Sequence, residues 1–286
     1  MPPRDPSRPL EGKLAIITGA SRGIGAAIAE NLASKGANLI INYTSSSSTR
    51  IAHDLATRLA TEYRLVTGAF QADIGTLDGV QSLIQYAEGV CLSDHRNLKF
   101  QIDIIINNAG VADNAPLPEV TTAQFENTYR VNVLGPLLLV QAAQPYLPKD
   151  RSGRIVNISS VSSSCGFTGQ SVYGGSKAAI EAMTRTWSRE LAENCTVNAV
   201  NPGPVEGPMY ASNSPGFLEG IEGWIKHTPL MKSREGDGLH DPVMPAGTRG
   251  ARTKEIAGIV GMLCGEEAAW CTGQVVGANG GMVMLH

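Results

Sequence analysis

The chain has 286 residues, 42% of them hydrophobic and 17% charged, with a formal net charge of −3 at pH 7. That length suffices for a full core, and the near-balanced charge excludes a basic nucleic-acid arm or a long acidic tail. No apolar run approaches the ~18 residues of a membrane span, and Met1 to Pro9 lacks the apolar segment of a secretory signal, so a cytoplasmic protein with no membrane or nucleic-acid partner is expected.

The predicted elements follow one rhythm. Leu14 to Ile17 is a continuous apolar run ending at Thr18-Gly19, and Gly25 to Ala33 follows with helical apolar spacing. Next come a strand at Asn38 to Asn42, a helix at Arg50 to Ala60, a strand at Leu65 to Phe70, a helix at Leu77 to Val90 and a strand at Ile102 to Ile106. A long helix around Phe125 to Ala143 precedes a strand at Arg154 to Ile158, a helix from about Tyr173 to Leu191 and a strand at Thr196 to Val200. A helix near Ile256 to Leu263 and a short strand at Gln274 to Val276 close the series. Continuous apolar strands alternating with amphipathic helices specify an α/β doubly wound Rossmann fold, with about seven parallel strands covered on both faces. Composition does not break between the halves, so residues 1–286 read as one domain.

Three segments interrupt the rhythm. Asn42 to Arg50, with four consecutive serines, reads as a loop, and Cys91 to Phe100 as a polar connection. The stretch 204–252, rich in Gly, Pro and Met and without a periodic element, reads as a substrate lid inserted in the domain, with a more polar, mobile part at Lys232 to Gly247. Met209, Tyr210, Phe217, Trp224 and Ile225 give the lid an apolar side, and His227 is its one candidate substrate contact among the histidines.

Glycines mark the first turn, Thr18-Gly19-Ala20-Ser21-Arg22-Gly23-Ile24-Gly25, between a buried strand and a helix N-terminus. There the backbone approaches a pyrophosphate closely and the helix dipole favours its charge; a purely structural tight turn would use the same residues. The second strand ends Ile41-Asn42-Tyr43-Thr44-Ser45-Ser46 with no carboxylate to repel a 2′-phosphate, while Arg22 reaches the same place with positive charge. This favours NADPH over NADH, the alternative being a solvated serine loop. Tyr173 and Lys177 fall one turn apart on one helix face. An ammonium beside a phenol would stabilise the phenolate and lower its pKa from near 10. The five cysteines (Cys91, Cys165, Cys195, Cys264 and Cys271) and five histidines (His53, His95, His227, His240 and His286) show neither a C-x-x-C pair nor metal-ligand spacing, so no disulfide framework or metal site is expected.

Taken in order, these motifs resemble the short-chain dehydrogenases/reductases over nearly the whole chain, in the group that includes the β-ketoacyl carrier-protein reductases. The glycine turn is followed by Asp73-Ile74, by Asn107-Asn108-Ala109-Gly110, by Asn132 in Arg130-Val131-Asn132-Val133, by Ser160, by Tyr173-x-x-x-Lys177 and by Asn201-Pro202-Gly203-Pro204-Val205. Ser160 is chosen from the Ser159 to Ser164 cluster by the family's thirteen-residue spacing to Tyr173. The resemblance implies that Tyr173 donates a proton to a carbonyl oxygen that Ser160 holds. It implies that Lys177 binds the nicotinamide ribose and that Asn132 holds a water in a proton relay. It assigns Gly19, Ser21, Arg22, Gly23, Ile24 and Gly25 to the diphosphate, and Asp73, Ile74 and Asn108 to Gly110 to the adenine side. Asn42, Thr44, Ser45 and Ser46 go to the ribose phosphate, and Pro202, Gly203 and Val205 to the nicotinamide end. Family members pair through their long helices, so a homodimer or homotetramer is implied.

Two departures stand out. Gly207-Pro208 replaces the threonine that usually anchors the carboxamide, and the lid is longer than in bacterial ketoacyl reductases. The segments Gln170 to Lys177 and Gly273 to Val276 are similar to fungal ketoreductases of polyketide or other secondary metabolism. The expected activity is NADPH-dependent reduction of a medium-sized apolar ketone, cyclic or aromatic. Alcohol oxidation, a cofactor-assisted cyclisation or epimerisation, and a non-catalytic nucleotide sensor are the alternatives.

Overall fold

A computed structural model describes residues 7–93, 100–237 and 242–284. His95, His240 and His286, together with parts of Met1 to Pro9, of the 91–100 connection and of the 232–247 segment, lie outside these residues. Seven parallel strands form one sheet in the order β3-β2-β1-β4-β5-β6-β7. They are β1 (Leu14–Ile17), β2 (Asn38–Tyr43), β3 (Thr67–Gln71), β4 (Ile104–Asn107), β5 (Gly153–Ile158), β6 (Cys195–Pro202) and β7 (Val275–Ala278). The central strands β1, β2, β4, β5 and β6 are buried at every position, which favours apolar residues along most of their length, with buried polar members such as Asn42, Arg154 and Asn198.

Successive side chains leave a strand on opposite faces, so each strand feeds two cores. Ala15, Ile17, Leu39, Ile41 and Ile106 pack beneath α1 (Gly23–Ser34) and α2 (Thr49–Tyr63). Leu14, Ile16, Ile40 and Ile105 pack on the other face, beneath α3 (Leu77–Leu92). The expected long helix around Phe125 to Ala143 is not continuous. It consists of α4 (Thr122–Tyr129), one π-helical turn at Arg130–Leu134, and α5 (Gly135–Ala143). After β5 come the single turn α6 (Ser162–Cys165) and the long α7 (Ser171–Glu190), whose Ile180 and Trp187 join the second core.

The 204–252 segment carries more regular structure than its composition suggests. It contains α8 (Pro208–Ala211) and α9 (Pro215–His227), each opening on a proline, and the Ser214 hydroxyl caps α9 by accepting from Phe217 N at 3.3 Å. Tyr210, Ile221, Ile225, Met231 and Met244 form a small core of their own, against which Phe167 and Phe217 pack. Isolated bridges Val205↔Ala251 and Lys232↔Thr248 draw the two ends of the segment together. Finally α10 (Thr253–Leu263) returns to the first core through Ile256, Ala257 and Val260.

Candidate active site

The chain leaves β1 toward one side of the sheet and β4 toward the other, which opens a crevice beyond their carboxyl ends. A cavity of about 800 Å³ occupies it and continues past β5 and β6 to the underside of α8 and α9.

At the β1 end, α1 begins at Gly23 with Arg22 as its cap residue, and no side chain caps the free N–H groups of its first turn. Gly19, Ser21, Arg22, Gly23 and Ile24 line the cavity. Gly25 does not. Its role is close packing, because a Cβ there would lie 2.5 Å from Asn108 Nδ2 and 2.7 Å from Gly19 O. Asn108 Nδ2 donates to Thr18 O (2.8 Å) and Gly19 O (3.1 Å), tying the glycine turn to the loop after β4. Asn108, Ala109 and Gly110 form the adjoining wall. Asp73 and Ile74 also line it, with the Asp73 carboxylate held by Arg130 Nη1 at 2.6 Å and by Gly75 N at 2.9 Å.

Beyond β2, Tyr43, Thr44, Ser45 and Ser48 face the cavity. Two residues expected beside them do not. Asn42 is fully buried, and its amide donates to Ala72 O at 3.0 Å and accepts from Gly19 N at 3.4 Å, so it serves the sheet. Ser46 opens a short 3₁₀ turn, Ser46–Ser48, that points it to solvent and brings Ser48 inward, where Ser48 Oγ accepts from Arg22 Nη2 at 3.3 Å. The phase of that turn explains why the serine run alone does not reveal which member faces inward.

At the other end, β5 delivers Ser160, and the first turns of α7 deliver Tyr173 and Lys177. All three line the cavity with Pro202, Gly203 and Val205. Lys177 Nζ donates to Ile158 O at 2.8 Å and lies 5.7 Å from the centroid of the Tyr173 ring. The expectation that this ammonium depresses the phenol pKa is not met. Burial pushes the Tyr173 pKa up, and the hydrogen bond with Ser160 pulls it part of the way back. Burial lowers the Lys177 pKa to about 8, against the opposing pull of Glu181.

Asn132 sits in the π-helical turn, 2% exposed and behind the cavity wall. Its Oδ1 accepts from Val111 N at 2.9 Å, and its Nδ2 donates to Val111 O (2.9 Å) and Ser176 Oγ (3.0 Å). These bonds make the Asn132 side chain a brace between the loop after β4 and the first turns of α7. The extra residue of a π turn is what aims it there.

Glu181, one turn beyond Lys177, is missed in the sequence. Its Oε1 accepts from Ser159 Oγ (2.6 Å), Ser163 Oγ (2.7 Å) and Asn201 Nδ2 (3.0 Å), clamping the ends of β5 and β6. The i, i+4 spacing to Lys177 was the available signal; the partners are distant in sequence. In the 204–252 segment, Phe217 lines the cavity, whereas Trp224 packs edge-on against Phe167 (5.6 Å) and His227 Nδ1 bonds Gly223 O (2.7 Å) within its own helix. Gly207, where the threonine was expected, has φ +144°, a conformation side-chain-bearing residues rarely adopt.

An uncapped helix N-terminus, a guanidinium beside it, and a hydroxyl, a phenol and an ammonium at the far end of one crevice define a dinucleotide-dependent oxidoreductase site. These residues fit a nicotinamide dinucleotide: the free N–H groups of α1 suit a diphosphate, and Lys177 and Tyr173 suit the reacting end. Comparison with known proteins agrees. Residues 13–216 match the short chain dehydrogenase family, and the chain belongs to it. It is 50% identical to an L-xylulose reductase of Aspergillus niger, over 96% of this chain and 99% of that one. It is 47% identical to an L-xylo-3-hexulose reductase of Hypocrea jecorina, over 97% and 99%. Among solved structures it resembles a blue fluorescent protein from a metagenomic library in complex with NADPH, with a TM-score of 0.80 and 32% identity over 96% and 100%.

Proposed function

We propose that the protein reduces a polyhydroxylated ketone, a ketose, to the corresponding polyol with NADPH as cofactor. The observation that carries the chemistry is the convergence of Ser160, Tyr173 and Lys177 on the inner end of the cavity. The bound nicotinamide supplies the hydride. Burial keeps the Tyr173 phenol protonated at neutral pH, so it reaches the carbonyl oxygen as an acid and donates its proton there. Ser160 fixes that oxygen by a hydrogen bond. Lys177, charged below about pH 8, holds the ribose hydroxyls. Positioning the groups in one crevice supplies most of the acceleration.

Arg22, the Ser48 hydroxyl and the absence of a carboxylate at the end of β2 support NADPH over NADH. The names of the two sugar-ketone reductases nearly half identical to this chain support the ketose. A second reading, an apolar or aromatic ketone of secondary metabolism, draws on Phe167 and Phe217, which line the lid side of the cavity. A cytoplasmic homodimer or homotetramer, paired through the α4–α5 run and α7, completes the proposal. The test follows oxidation of NADPH and NADH by the purified protein with L-xylulose, other ketoses and a set of aromatic ketones. Turnover confined to NADPH and ketoses is expected; turnover of the aromatic ketones alone would select the second reading.

A further inference from the structure

Ser160 lies between β5 and the single turn α6, where its hydroxyl already has a partner. Ser160 Oγ donates to Ser162 Oγ at 3.0 Å and accepts from Ser162 N at 3.2 Å. Among the described residues, Ser160 is the sole hydrogen-bond partner of the Ser162 hydroxyl. The turn that carries the pair is held from two sides. From β6, Asn201 Nδ2 donates to Ser160 O at 2.8 Å. From α7, Gly174, the neighbour of Tyr173, approaches Ser162 so closely that a Cβ there would lie 2.5 Å from Ser162 O. Ser162 itself is 8% exposed. The contact between the two side chains therefore stays in place while their protons turn.

A hydroxyl has one proton and two lone pairs. Here the Ser160 proton is spent on Ser162, whereas holding a carbonyl oxygen requires that proton to point into the crevice. Turning it there brings a lone pair of Ser160 toward Ser162 Oγ. Only a group that both accepts and donates satisfies the contact in both settings, and the Ser162 hydroxyl does so by reversing its own proton. Once it donates to Ser160, it polarises the Ser160 O–H, which strengthens the bond to the carbonyl oxygen as charge gathers there. We infer that Ser162 is a positioning residue that acts through Ser160, accepting the Ser160 proton until a carbonyl arrives and then donating in return. This role rests on the reductase reading above, in which Ser160 holds the carbonyl oxygen.

The test measures kcat and KM for L-xylulose at saturating NADPH in the wild type, in Ser162→Ala, Ser162→Thr and Ser160→Ala, and in the double variant Ser160→Ala with Ser162→Ala. Ser162→Ala is expected to lower kcat about five- to ten-fold with KM within about two-fold of the wild type, because the lost bond strengthens in the transition state. Threonine keeps the hydroxyl and should restore most of the rate. In the Ser160→Ala background the same Ser162→Ala change is expected to alter kcat by less than about two-fold, since the group it acts through is gone. Equal losses in the two backgrounds mean a purely structural role and overturn the inference, as does a Ser162→Ala enzyme with wild-type kcat. Should the alanine variant not fold, Ser162→Cys, close in shape but weak as donor and acceptor, takes its place in the same cycle. A wild type that binds NADPH and turns over no ketone overturns the reductase reading itself, a result distinct from additive losses in an active enzyme.

Discussion

Tyr173 and Lys177 owe their chemistry to burial more than to each other. Burial raises the phenol pKa and Ser160 tempers the rise, which under the proposed function makes it an acid that acts only on an oxygen brought to it. Tyr173→Phe is expected to lower kcat about 10³-fold with NADPH affinity retained, as read by single-turnover rates and by fluorescence of the bound nucleotide. Under the proposed function, Arg22 is the residue-scale determinant of nucleotide choice. Its guanidinium sits beside Ser48, and a charge-assisted contact with a 2′-phosphate contributes about 1.5–3 kcal/mol. Arg22→Ala should therefore raise the KM for NADPH roughly 10- to 100-fold and leave that for NADH nearly unchanged. Equal losses for the two nucleotides would remove Arg22 from the phosphate site.

At the scale of elements, α7 is the arm that carries Tyr173 and Lys177, and Glu181 is where it is bolted to the ends of β5 and β6. The sign of its effect on pH dependence is fixed. Burial lowers the Lys177 pKa to about 8 and Glu181 pulls it upward, so the ammonium is present below about pH 8 and is lost as pH rises through that value. The kcat/KM for NADPH, which reports the free enzyme, should fall on its basic side near pH 8. Glu181→Gln keeps an amide oxygen for Ser159 and Ser163 but removes the charge, so that limb should move to lower pH; a limb that stays put would assign it to another group. The strands and most helices could be read from sequence because burial on both faces writes continuous apolar runs, as in Leu14 to Ile17. Other elements are hidden for physical reasons. Glycines and prolines in Pro215–His227 mask a helix whose start is nonetheless signed by Ser214 and Pro215. The π turn around Asn132 leaves no mark in apolar spacing, and the partners of Glu181 lie 18 to 22 residues away along the chain.

Across the whole molecule, strand order puts the motifs of a 286-residue chain around one crevice, which is why the ordered series of short motifs reads so clearly in sequence. The members that missed the cavity, Gly25, Asn42, Ser46 and Asn132, are displaced by packing that only the third dimension specifies: close approach, a buried amide, the phase of a turn, and a π turn. Assembly belongs to this scale too. The α4–α5 run leaves Phe125, Leu134 and Leu137 between 41% and 47% exposed, a surface suited to burial against a second copy. The proposed homodimer or homotetramer predicts that Leu137→Glu shifts the species measured by light scattering to a smaller one with secondary structure intact. One set of crevice residues, Gly19 to Arg130, comes from β1 through the π turn, whereas Ser160, Tyr173 and the 204–252 segment all follow β5. Under the proposed function, nucleotide preference and ketone preference are thus written on separate lengths of the same gene. A duplicated copy could retune one by a few substitutions, or exchange it wholesale with a cousin at a crossover ahead of β5, while inheriting the other unaltered.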